Sequence, residues 1–211
     1  MIRILIVDDH MIIRRGLMQI LTSEARVGEV AEAADGPAAL RILRASTVDV
    51  VLLDIALGER DGLDVLKAIR SEFPAVGVIM LSVYPETQFG VRSIRAGASA
   101  YLNKGCSPEM LFEAVVKVAG GGIFITAAIA ELLARNVRAD ESRPLHELLS
   151  DREFQVLKLL AQGRSVSEIA EQLSLSANTI STYRGRVFDK LGVRSMVELL
   201  TYAARQDLLP M

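Results

Sequence analysis

Four apolar runs in this chain each stop abruptly at a polar or charged side chain. Ile2–Val7 ends at Asp8-Asp9, Val50–Leu53 at Asp54, Val76–Leu81 at Ser82, and Ala98–Leu102 just before Lys104. Asp54 alone would say little, because an aspartate after a strand is also a common turn former or helix cap. The other three run ends give it chemical company. Carboxylates brought close together either raise a pKa or bind a cation. An all-oxygen donor set with room for water selects a hard ion such as Mg²⁺. Beside such an ion, an ionised Asp54 can attack phosphorus and form an aspartyl phosphate. Ser82 and Lys104 can then hydrogen-bond or neutralise the remaining phosphoryl oxygens. An ionised carboxylate needs no general base, and the sequence offers no strong one.

The elements around these residues decide whether they meet. The runs are short and apolar at nearly every position, as in strands buried on both faces of a parallel sheet. Helical spacing follows each one. Met11–Leu21 is amphipathic. Pro37 opens a helix to about Ala45. Leu63–Phe73 is stopped by Pro74, and Pro85–Ala96 is closed by Gly97. Ser107-Pro108-Glu109 combines an N-cap, a first-turn proline and a first-turn acid. A weaker strand is predicted near Glu29–Ala33, before the Asp35-Gly36 turn. Five strands alternating with five helices over about 120 residues predict an α/β doubly wound (βα)5 fold. In such a sheet the carboxyl ends of the strands share one edge, where open α/β sheets bind their ligands.

Composition narrows the remaining choices. The 211 residues suffice for one large domain or two small ones. No apolar stretch is long enough to span a bilayer, and the first residues lack the pattern of a signal peptide. One cysteine, Cys106, cannot form an internal disulfide, which fits a reducing cytoplasm; with no spanning stretch, no membrane partner is expected. The net charge is −2. Residues 1–121 carry 13 basic and 15 acidic side chains, and residues 150–211 carry 8 and 7. A nucleic-acid contact would therefore need a local patch.

Residues 1–121 form the first predicted domain, and residues 122–148 a linker. Within the linker, Thr126–Asn136 reads as a short amphipathic helix and Val137–Pro144 as an exposed polar tether. Residues 149–211 are predicted to be all helical, with four helices at about 151–162, 166–173, 177–191 and 195–206. Ser150/Glu153, Ser165/Glu168 and Ser195/Glu198 are S-x-x-E capping boxes, and Ser176 starts the third helix. The second and third helices meet at a tight turn, a helix-turn-helix. The third would bury Ile180, Val187 and Leu191 and display Thr182, Arg184, Arg186 and Lys190, as a DNA recognition helix does. Met196, Leu199, Leu200 and Ala203 form an apolar stripe on the fourth.

Residues 1–121 resemble the receiver domain of bacterial two-component response regulators, on Asp8-Asp9, Asp54, Asp61-Gly62, Ser82, Tyr101 and Lys104. The resemblance implies that Asp54 accepts a phosphoryl group from a sensor histidine kinase or phosphotransfer protein. Asp9 and Asp54 would hold Mg²⁺ by their side chains, Asp8 mainly through water and Ala56 through its carbonyl; Mn²⁺ is the alternative ion. Ser82 and Tyr101 would form a switch pair, the hydroxyl moving toward the phosphate while the ring turns inward.

Three departures accompany the match. Leu57-Gly58 stands where Met-Pro is frequent, which predicts a more mobile loop. Gly105 replaces a proline after Lys104, so no cis bond is assumed there. Met11 also stands in a frequent proline place, and His10 is read as a loop residue beside the site, not a ligand.

Residues 149–206 resemble the LuxR-type DNA-binding domain. The whole chain is thus similar to the NarL/FixJ family of regulators, in wording nearest its BvgA and GacA/UvrY-like branch. That implies Ser181, Thr182 and Gly185 facing the groove of promoter double-stranded DNA, with Arg184, Arg186 and Lys190 beside them. Relatives often carry lysine where Ser181 stands, and some where Gly185 stands. Met196, Leu199, Leu200 and Ala203 would dimerise the domain on DNA, and RNA polymerase would be a partner at the promoter.

Three other readings are weaker. An aspartyl-nucleophile phosphatase carries a second Asp two residues on, where this chain has Ala56. A dinucleotide enzyme would need a G-x-G-x-x-G after the first strand. A regulator that needs no phosphorylation would not require the full Asp9/Asp54/Ser82/Lys104 set. The expectation is therefore a switched regulator and not an enzyme.

Overall fold

Val50, Val51, Leu52 and Leu53 are all fully buried, and they form the central strand of the chain. The computed structural model describes residues 1–57, 60–138, 144–206 and 208–209, and it divides into two units, Met1–Asn136 and Val137–Met211.

The first unit holds a parallel five-stranded sheet. Its members are β1 (Ile2–Val7), β2 (Val27–Ala33), β3 (Val50–Asp54), β6 (Gly77–Ser82) and β7 (Ala100–Asn103), in the order β2-β1-β3-β6-β7. Register is set by apolar pairs such as Val7↔Leu53 and Leu53↔Met80. Five helices cover the sheet: α1 (Met11–Thr22), α2 (Gly36–Ala45), α3 (Gly62–Glu72), α4 (Glu86–Arg95) and α5 (Pro108–Ala119). The Asp35 and Ser107 side chains cap α2 and α5, accepting from Ala38 N and Met110 N. The doubly wound (βα)5 expectation is met. One addition was not foreseen: β4 (Ala56–Leu57) and β5 (Arg60–Asp61) pair as a small antiparallel ribbon after β3. The predicted mobility at Leu57-Gly58 concerns Gly58, which lies outside the described residues.

The linker helix, α6 (Ala127–Arg138), does not hang free at its start. Ile129 is fully buried, and a Cβ built on Gly90 of α4 would stand 3.0 Å from its Cγ1 and Cδ1. The Thr126 hydroxyl donates to the Glu86 carboxylate at the first turn of α4. Most of the predicted tether, residues 139–143, lies outside the described residues.

The second unit opens with a 3₁₀ turn, Leu145–Leu148, followed by α7 (Asp151–Ala161), α8 (Val166–Gln172), α9 (Ala177–Leu191) and α10 (Met196–Arg205). α9 packs on α7 and α8, and α10 packs on α7. Ser150/Glu153 and Ser165/Glu168 form complete capping boxes. The third box is only half made. Ser195 accepts from Glu198 N, but the Glu198 carboxylate turns to Arg194 N at 2.7 Å. Gly192 closes α9 with φ +67°, a left-handed conformation suited to glycine. Ser174, in the turn between α8 and α9, takes φ +52° without being glycine, a strained setting that fixes a tight corner.

Candidate functional site

The parallel sheet delivers the predicted side chains to one edge. Asp8 follows β1, Asp54 ends β3, Ser82 ends β6, and Lys104 follows β7. Asp8 and Asp54 are 2% and 3% exposed, and Ser82 is equally buried. The Lys104 amide donates to Ser82 O at 2.8 Å, which ties the two strand ends together. Its ammonium bridges the acids, 2.7 Å from Asp8 Oδ2 and 2.8 Å from Asp54 Oδ2. Apart from this ion pair, those two buried oxygens have no hydrogen-bond partner.

Burial is the main force on Asp54 and pushes its pKa up to about 6; Lys104 pulls the other way without cancelling it. The Ala56 amide also donates to this carboxylate. Burial disfavours the charged Lys104, yet Asp54 and Asp8 outweigh it and hold its pKa above the ordinary lysine value. The result is one ammonium shared between two carboxylates, with negative charge in excess. Ligand atoms of Asp8, Asp9, His10 and Asp54 lie within 4.8 Å of one another. Carboxylate oxygens that are buried and short of donors suit a hard divalent cation such as Mg²⁺. His10 stands closer to the acids than a loop residue beside the site would. Its Nδ1 lies 2.7 Å from Asp9 and 3.3 Å from Asp8, and its amide donates to Asp8 Oδ1 at 2.8 Å.

Tyr101 is fully buried with its ring inward, and burial raises its pKa. Its hydroxyl donates to Tyr84 O at 2.8 Å. Ser82 Oγ accepts from Tyr84 N at 3.1 Å. Tyr84 therefore links the two expected switch residues, a role that nothing in its local sequence pattern marks. Asn103 reinforces it, donating to Val83 O and Tyr84 O at 3.3 Å. Gly62 does more than complete the Asp61-Gly62 pair. A Cβ there would stand 2.0 Å from Asp54 O, so only glycine lets the start of α3 pass so close to the Asp54 backbone. The Lys104–Gly105 peptide is trans, since no cis bond occurs among the described residues.

In the second unit, Ser176 caps α9 by accepting from Thr179 N. Ile180, Val187 and Leu191 are buried, while Ser181, Thr182, Arg184, Gly185 and Arg186 are exposed. Helical geometry puts Asn178, Thr182 and Gly185 on one outer strip, flanked by Arg186 on one side and by Ser181 and Arg184 on the other. The Arg186 guanidinium lies 6.0 Å from the Tyr183 ring centre. Lys190 does not present its charge in the same way. Its Nζ is 2.6 Å from Glu153 Oε2 on α7.

The four stripe residues of α10 also separate. Leu199 and Ala203 are fully buried, so their side chains are not exposed for a contact with a second copy. Met196 is exposed, together with Val197, and Leu200 is half-buried. Among the described residues, no helix is long and apolar enough to cross a membrane.

The response regulator receiver domain matches residues 4–116, and the luxR family of bacterial regulatory proteins matches residues 147–203. Response regulator UvrY of Escherichia coli K12 is 35% identical over 209 residues, covering 99% of this chain and 96% of the relative. Response regulator GacA of Pseudomonas aeruginosa is 32% identical, covering 99% of this chain and 98% of the relative. A solved structure of RcsB from Salmonella enterica serovar Typhimurium, bound to a promoter in the presence of the phosphomimetic BeF₃⁻, is 26% identical with a TM-score of 0.63, covering 97% of this chain and 98% of that one. The acid site at the sheet edge and the helix-turn-helix that follows it in the chain thus place this chain in the NarL/FixJ family of two-component response regulators, which join a receiver domain to a LuxR-type DNA-binding domain.

Proposed function

We propose that phosphorylation of Asp54 by a sensor histidine kinase, or by a phosphotransfer protein, switches this regulator's binding to promoter DNA as a dimer. The observation that carries the reading is the buried Asp54 carboxylate, held by Lys104 beside Asp8 on one edge of the sheet. An Asp54 oxygen attacks the phosphorus of a phosphohistidine. The new O–P bond forms as the P–N bond breaks, and the released imidazole takes a proton from solvent. Mg²⁺, or Mn²⁺ in its place, would be held by Asp9, Asp54 and the Ala56 carbonyl, with Asp8 acting through water, and supplies neutralising charge to the phosphoryl oxygens. Lys104 is placed to turn from its carboxylates to a phosphoryl oxygen, and Ser82 to donate to another. Drawing Ser82 away would release the Tyr84 amide and bias the chain leading into α4.

On the DNA side, Thr182 and the Ser181–Gly185 strip face the groove, with Arg184 and Arg186 reaching phosphates or base edges. Met196 and Leu200 remain candidates for a homodimer contact. A dimer would read half-sites about one helical turn apart, and its linked contacts would raise apparent affinity without new base contacts. RNA polymerase is the expected further partner at the promoter, the cytoplasm is the expected location, and no enzymatic turnover of a substrate is proposed.

The test compares wild type with Asp54→Asn for oligomeric state and DNA binding, each with and without a small phosphodonor plus Mg²⁺. Strengthening confined to wild type supports the switch. Equal DNA binding in every condition would leave the helix-turn-helix standing and reduce the receiver to a docking module.

A further inference from the structure

Lys190 occupies the last turn of α9, where a lysine on a recognition helix is readily taken for a phosphate contact. Its surroundings assign it elsewhere. Nζ lies 2.6 Å from Glu153 Oε2 and 3.4 Å from Leu148 O. The same Oε2 accepts from Ser150 N at 2.7 Å, closing the capping box of α7. The Glu153 side chain is only 4% exposed. Burial works against its charge, but the Lys190 and Ser150 contacts prevail and keep its pKa below the ordinary range. The Glu153 carboxylate therefore ties the C-terminal end of α9 to the start of α7, and the Lys190 ammonium also reaches Leu148 O in the turn before it.

We propose that Lys190 is a positioning residue for DNA recognition: paired with Glu153, it sets the rotation and register of α9 and does not neutralise a phosphate. The proposal rests on the DNA-binding reading above. The apolar contacts of Ile180, Val187 and Leu191 hold α9 down but are not directional. A charged hydrogen bond at one end supplies the direction they lack. Arg186, Gly185 and Thr182 lie four to eight residues toward the N-terminus, about 6–12 Å along the helix at 1.5 Å per residue. A small tilt about the Lys190 end therefore moves the whole outer strip. Were Lys190 to leave for a phosphate, Glu153 would stay buried, charged and uncompensated, which opposes that exchange.

The experiment uses the full chain and a DNA duplex that the wild type selects from a random pool. Lys190→Met, Lys190→Arg, Glu153→Gln and the Lys190→Met/Glu153→Gln pair are compared for affinity across a salt series. Glu153→Gln keeps a capping-box residue while removing the charge. Lys190→Met should weaken binding about ten-fold, the lower end of what one charged hydrogen bond contributes. The slope of log affinity against log salt should not change. Glu153→Gln should weaken binding similarly, the pair should be no worse than either single change, and Lys190→Arg should restore most of the affinity.

A slope reduced by about one unit in Lys190→Met, with Glu153→Gln silent, would make Lys190 a phosphate contact and overturn the proposal. Should Lys190→Met fail to fold, the Glu153→Gln and Lys190→Arg arms still decide. A wild-type chain that selects no duplex overturns the DNA-binding reading itself, a failure distinct from any pattern among the variants.

Discussion

Asp54→Asn should make the folded protein more stable at neutral pH, because Asp54 burdens the native state. Its pKa is pushed from an ordinary 3.8 to about 6, chiefly by burial. Between those two values the folded chain holds a proton that the unfolded chain has released, so stability falls as pH rises through this window. Below pH 3.8 both states are protonated and the burden vanishes. Above pH 6 it is complete. A shift of about two units corresponds to roughly 3 kcal/mol. Asparagine keeps the shape and carries no charge, and Lys104 retains its contact with Asp8. In metal-free buffer, urea unfolding followed by circular dichroism should show the difference. With a slope of about 2 kcal/mol per molar urea, the receiver midpoint should move up by as much as about 1.5 M at pH 7.5. At pH 4 the two proteins should unfold almost together. A variant no more stable than wild type at pH 7.5, or one whose advantage grows toward pH 4, would refute the account of Asp54 as a buried, strained carboxylate.

Gly62→Ala places a methyl 2.0 Å from Asp54 O, so the backbone at Asp54 must shift by about 1 Å or more. The expected loss is about 1–3 kcal/mol of stability together with slower labelling by a phosphodonor, read by thermal melts and phosphate incorporation; labelling at the wild-type rate would mean that the contact is tolerated. Ile129→Ala empties a fully buried position on α6 itself. Hydrogen exchange of amides 127–134 should accelerate, consistent with a cost of about 2–5 kcal/mol, and unchanged exchange would show that the helix is held by other contacts. Tyr202→Phe removes the hydroxyl that accepts from His146 N at 3.0 Å. That should cost about 1 kcal/mol, and a melting temperature equal to wild type would show that water replaces it.

Much of this molecule is written in local pattern. The apolar runs that end at Asp8, Asp54 and Ser82 became strands because β-branched and aliphatic residues there can only be satisfied inside a sheet. Serine three residues before glutamate marked the starts of α7 and α8, since that spacing satisfies two backbone donors at once. The edge that gathers the acids follows from right-handed crossovers in a parallel sheet, and these need no knowledge of side-chain contacts.

Where local pattern allowed two partners, it did not choose between them. Glu198 could close a box with Ser195 or take Arg194 N, and the packed chain gives it the latter. Leu199 and Met196 look alike along one helical stripe, yet only Leu199 faces the core.

The sequence by itself determined the main strands and helices, their order and the residue types at the acid site, because periodicity, capping and strand-end residues are local or topological. Only the tertiary structure decided where each charge is spent. Lys104 bridges Asp8 and Asp54, Lys190 is held by Glu153, and the Tyr101 hydroxyl reaches Tyr84 O, because each partner comes from a distant segment of the chain. Partner choice for a long, charged or aromatic side chain depends on burial and on distances of a few ångströms, and these exist only once the layers have packed.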